Sequence, residues 1–131
     1  MRTPGIREQL RRRLYMAAHQ EVSDLMRSFP PPVRNHAATL PVLYEMSPRP
    51  YLTRNGIAPD TLGLFTGSSF AEGTSSTTVE PAQIILFMEN IWDYVGHDAP
   101  AFREEIRRTY LHELGHYLGL DEDDLATRDL D

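Results

Sequence analysis

The sequence predicts an α+β fold built from two long helices and three short strands. Two observations predict the helices and one predicts the strands. Residues 6–28 and 100–118 carry apolar side chains at intervals of three and four, the spacing of amphipathic helices. Residues 40–46, 62–66 and 82–88 are short apolar or alternating runs bounded by Pro and Gly. At 131 residues, 40% apolar and 24% charged, the chain suits one domain over 1–131 with its own core.

The first helix takes its stripe from Ile6, Leu10, Leu14, Ala17, Ala18, Leu25 and Phe29. Pro30, Pro31 and Pro32 end it, because proline cannot continue the hydrogen-bond ladder. Its arginines, Arg7 and Arg11 to Arg13, are expected on a solvated outer face. Val42 and Tyr44 alternate with Leu43 and Glu45 in the first strand, and Pro41 favours an edge position for it. Residues 47–60, with three prolines and an Asn55–Gly56 turn signal, are expected to be loop. The second strand, 62–66, lies between Gly63 and Gly67 signals, and the Ser/Thr/Gly-rich stretch 68–81 is expected to be surface loop. The continuous apolar run of the third strand suggests a central position, buried on both faces. Residues 89–97 form a connection with room for a helical turn. Phe102, Ile106, Tyr110, Leu114 and Leu118 line the last helix, which Asp98 can cap and Gly119 can stop.

Composition excludes several chemistries. With zero Cys there is no disulfide, thiol nucleophile or cysteine-held metal. All 13 basic residues are Arg, so lysine Schiff-base and P-loop chemistry are excluded as well. A formal charge of −6 argues against nucleic acid as the main partner. No stretch approaches a membrane span, and no apolar signal region opens the chain, so a cytoplasmic protein is expected.

Residues 112–122 read HELGHYLGLDE. Positions four apart share a helix face, so His112 and His116 can offer imidazole nitrogens to one point. Glu113 lies about 100° round the helix from His112, placed to reach a water at the same metal rather than to ligate it. This is the HExxH arrangement for Zn²⁺, in which the Glu serves as general base. A catalytic zinc usually takes three protein ligands and leaves a fourth place to water. A straight helix would carry the third ligand too far along its axis. Gly119 tolerates a left-handed conformation and can turn the chain back. Glu122 then stands at the spacing of an extended HExxHxxGxx pattern, with Asp121 beside it as the second candidate.

With these residues the chain resembles the small bacterial zincin-like metallopeptidases. The similarity includes the element DTLGLFTG from Asp60, the run IILF, and the segment FREEIRRTYL from Phe102. The resemblance implies a minimal zincin-like fold, with a small mixed sheet and a backing helix packed against the HExxH helix. It implies His112, His116 and an acid at position 122 as zinc ligands, and Glu113 as general base. Family members often carry Asp where this chain has Glu122. The implied activity is hydrolysis of peptide bonds, with a zinc-containing binding or regulatory module as the alternative. The implied partner is a peptide or protein, with the protein itself a monomer or weak dimer. A substrate would add as a strand along the edge formed by Leu64, Phe65, Thr66 and Gly67, with 67–78 as a rim or lid.

Other candidates are weaker. Asp93 and His97 are four apart but lack a helical stripe. His19 and His36, the latter in a proline-rich turn region, are expected at the surface or in packing. Tyr110 and Tyr117, though close to the motif, are expected to pack.

Overall fold

A computed structural model describes residues 5–67 and 81–119. Their order is α1 (Ile6–Ser28), α2 (Pro31–Ala38), β1 (Val42–Glu45), α3 (Pro50–Arg54), β2 (Gly63–Thr66), β3 (Gln83–Phe87), α4 (Met88–Tyr94) and α5 (Ala99–Tyr117). The fold is α+β, with a three-stranded mixed sheet in the order β1-β3-β2. The stretch 68–80 and the segment from 120, which holds Asp121 and Glu122, lie outside the described residues.

β3 is central, as its unbroken apolar run predicts. It pairs parallel with β1, Val42 opposite Ile84, and antiparallel with β2, Phe65 opposite Ile84 and Gly63 opposite Leu86. Ile84, Leu86 and Phe87 are fully buried and Ile85 nearly so. Among the described residues β1 and β2 are the two edges, and Pro41 before β1 fits that placement.

Two helices supply most of the remaining core. α1 buries Leu14, Ala18, Val22 and Leu25, and α5 buries Phe102, Ile106, Tyr110 and Leu114. With Ile84, Leu86, Met88 and Ile91 all of these except Leu25 form one continuous cluster. Each such side chain contributes about 1.5–3 kcal/mol by leaving water. The outer face of α1 is solvated as expected, with Arg11 paired to Glu8 at 2.6 Å and Arg7 to Glu89 at 2.7 Å. The α1 stripe stops short of its first turn, however: Ile6 is 87% exposed because nothing packs beyond Leu10.

Three connections hold more helix than the sequence suggested. Residues 47–60 contain α3, and the proline-rich region after α1 contains α2, which places His36 on a helix rather than in a turn. In both, proline occupies the first turn, where its missing N–H has no intrahelical partner to lose. The same ring that ends one helix starts the next. The connection after β3 is α4, seven residues long, whose Met88 and Ile91 enter the core. No described helix is long and apolar enough to cross a membrane.

Candidate metal centre

α5 positions the motif. Asp98 caps its start by accepting a hydrogen bond from the Ala101 N–H at 2.9 Å. Its apolar stripe docks on β3 and α1, which turns the adjacent stripe toward β2. That second stripe is polar: Glu105, Arg108, Thr109, His112, Glu113 and His116, at helical spacings of three and four.

His112 and His116 come together as the spacing requires. Their Nε2 atoms stand 3.1 Å apart, with the rings edge-to-face at 4.7 Å. Two nitrogens held about 2.0–2.1 Å from one tetrahedral zinc stand about 3.3 Å apart, so the pair fits such an ion within a few tenths of an ångström. The ligand atoms of His112, Glu113 and His116 all lie within 4.8 Å of one another, each residue half-buried. This group could hold a metal ion. After α5, Gly119 takes a φ of +82°, the left-handed conformation expected of a residue that turns the chain. Its N–H donates to the His116 carbonyl at 3.0 Å, tying the turn to the second histidine. The acids beyond it, Asp121 and Glu122, are outside the described residues.

β2 runs beside this stripe. A Cβ built at Gly63 would stand 2.5 Å from Thr109 Cγ2 and 3.5 Å from Glu113 Cγ, so only glycine permits this approach of strand to helix. Two residues on, Phe65 packs against Tyr117 at 5.7 Å. Gly63 and Phe65 therefore face α5, and strand alternation turns Leu64 and Thr66 to the opposite face. Gly67 follows at the strand's end. The expected substrate edge thus borders the HExxH helix.

A cleft of about 210 Å³ opens between them, lined by Leu62, Glu105, Arg108, Thr109, His112 and Glu113. Sequence reasoning singled out the last two of these and missed Glu105, Arg108 and Thr109. The signal was present: Glu105 and Thr109 precede His112 and His116 by seven residues, two turns on the same face.

The weaker candidates fall elsewhere. His97 pairs with Asp93 at 2.8 Å and stacks on Trp92, away from the motif. His19 is exposed beside the rings of Tyr15 and Tyr44. Tyr110 is fully buried in the core and Tyr117 is half-buried against β2.

An HExxH pair on a helix, backed by a second helix and flanked by the edge of a small mixed sheet, defines a metallopeptidase-type architecture. The chain belongs to the zincin-like metallopeptidase family, whose model matches residues 37–131. A comparison with curated proteins gives no match. The matched span starts within α2, so it takes in the sheet and α5 but leaves out α1.

Proposed function

We propose that this protein is a zinc-dependent metallopeptidase, with His112, His116 and Glu122 holding the metal and Glu113 as general base. The observation that carries this reading is the 3.1 Å approach of the two imidazole nitrogens, with the Glu113 carboxylate on the same helix face. Asp121 is the alternative third ligand. Zinc, when bound, supplies a Lewis acid that polarises a peptide carbonyl and makes hydroxide accessible near neutral pH. Glu113 takes the proton from the attacking water and returns it to the leaving amine, so one carboxyl group serves both proton transfers. β2 offers backbone donors and acceptors at Leu64, Phe65, Thr66 and Gly67 to an extended peptide, which would lie antiparallel along this edge, unpaired among the described residues. The proximity of Gly63 to Glu113 brings that edge to the base.

Metal analysis tests the site before any substrate is known. Wild-type protein supplied with zinc should retain about one ion per chain, and His116→Ala almost none. Glu113→Gln should keep the metal and lose cleavage of a peptide library by about 10²–10⁴-fold. Retention of metal by His116→Ala would sink the ligand assignment. Unchanged cleavage by Glu113→Gln would sink the general base. Metal binding with no cleavage by the wild type would favour the alternative, a zinc-containing binding module.

A further inference from the structure

We propose that the cleft beside Glu113 is a subsite for a cationic side chain of the substrate, with Glu105 as its recognising group. This rests on the peptidase reading above and names the substrate class it would take.

Glu105 is an unusual residue for its position. It is 8% exposed, on the half of α5 that enters the molecule, yet it lines an open cleft. A buried carboxylate is costly unless donors satisfy its oxygens. Here Oε2 accepts one hydrogen bond, from the Thr109 hydroxyl at 3.0 Å. Among the described residues the nearest cation is the Arg108 guanidinium, 3.7 Å from Oε1, too far for a hydrogen bond and on a side chain that is 55% exposed. A carboxylate offers about four acceptor sites. One neutral hydroxyl and a solvated guanidinium leave capacity for a donor arriving through the cleft. Thr109 fixes the carboxylate's orientation, and Gly63 keeps Thr109 pressed against the strand.

On the Leu62 side the surrounding charge has the same sign, whereas on the far side a cleft that shares Arg108 is lined by Arg103 and Arg107 together with Glu21 and Glu104. Leu62 also lines a neighbouring cleft, whose acids are Asp60 and Asp93. The chain as a whole carries −6. Such a field attracts basic peptides and repels acidic ones. Arg108 is the one basic residue lining either cleft on the Leu62 side. Exposed as it is, its pairing with a substrate acid would be worth little, and Glu105 beside it would repel that acid. Seven helical residues separate Glu105 from His112, about 10.5 Å along the axis. A lysine or arginine a residue or two from the scissile bond can cover that distance with backbone and side chain together, since each residue of an extended peptide along β2 advances about 3.3 Å.

The test uses the full chain carrying Glu113→Gln, loaded with zinc, so that binding is read without turnover. Two fluorescent pools of random peptides are compared, identical except that one carries a fixed arginine and the other its neutral isostere citrulline. The arginine pool should bind about tenfold tighter, the discrimination of a charge-assisted hydrogen bond. Adding Glu105→Gln, which still accepts from Thr109, should abolish the preference. Adding Arg108→Gln should keep or increase it, since an internal competitor is removed. Equal binding of both pools, no binding of either, a preference that survives Glu105→Gln, or one lost in Arg108→Gln would each overturn the proposal. The peptidase reading fails separately. If the arginine preference is present but wild-type protein cleaves neither pool, the subsite stands and the catalytic assignment falls.

Discussion

The two faces of α5 differ in kind although both are turned inward. One carries Phe102, Ile106, Tyr110 and Leu114, all at most 3% exposed. The other carries Glu105 and Thr109, then the half-buried His112, Glu113 and His116. Burial does not separate them: Glu105 at 8% and Thr109 at 7% are as enclosed as Leu25 and Ile85 at 7%. What separates them is the neighbour. The apolar face meets β3 and α1, whose side chains fill space and ask only for volume. The polar face meets a strand drawn close by Gly63, and beside that contact, past Leu62, a cleft leaves ionisable groups access to ligands. Core and site are thus two sides of one helix, and substitutions on each should move different observables.

Ile106→Ala should give the largest effect on stability. Ile106 is fully buried, and removing three carbons from such a site costs about 2–5 kcal/mol. Urea titration at fixed zinc concentration would read this as a lower midpoint. Zinc affinity, measured where the variant is still folded, should stay near wild type, because the imidazoles project from the neighbouring polar stripe and not from the core. A parallel loss of zinc affinity would break the comparison, showing that core packing on one face sets the ligand geometry on the other.

How much of this was legible in the sequence follows from how local each feature is. The histidine pair needs one turn of helix and nothing else, so its spacing sufficed, and the α5 stripe and the β3 run were equally readable. Gly119 was legible for the same reason, since its role lies in its own backbone. α2 and α3 were missed because proline is read as a helix breaker, whereas in a first turn it is a starter. The cleft was missed because it belongs to no single segment. Glu105 and Thr109 look like ordinary helix residues until β2, far earlier in the chain, comes to rest beside them. Ile6 shows the converse error: periodicity continues to the end of a helix, but the partner surface does not.

Gly63→Ala probes the seam between the faces and should have an intermediate effect. The added Cβ would stand 2.5 Å from Thr109 Cγ2, and overpacking of this sort costs about 1–3 kcal/mol. Cleavage should fall further than zinc affinity, since Glu113 Cγ lies 3.5 Å from the same point and neither histidine is among the three nearest atoms. Thr109→Ser removes the clashing methyl but keeps the hydroxyl that Glu105 accepts from. The double variant should therefore recover thermal stability relative to Gly63→Ala alone, a coupling that a double-mutant cycle measures. Additive losses in that cycle would mean the strand relaxes elsewhere and the glycine is not what holds it against the helix.

Tyr110→Phe should have the smallest effect and the most informative sign. The Tyr110 hydroxyl is buried on the apolar face, with no hydrogen-bond partner among the described residues. A buried donor left unmatched costs about 1–3 kcal/mol, so deleting it should leave the urea midpoint unchanged or raise it. The alkaline limb gives a second reading. Burial pushes the Tyr110 phenol from 10.0 up to about 12. Below pH 10 both folded and unfolded chains keep the proton, and this group gives stability no pH dependence. As pH rises from 10 toward 12, the unfolded chain releases the proton while the folded chain still holds it, so stability falls. Tyr110→Phe should flatten that fall in part. Tyr44, whose phenol is also raised by burial and by the nearby Tyr15 and Tyr110, continues to contribute. A loss of more than about 1 kcal/mol at neutral pH would mean that the hydroxyl is satisfied by chain outside the described residues. The apolar face of α5 would then carry a polar anchor of its own, and the division between its two sides would be one of degree.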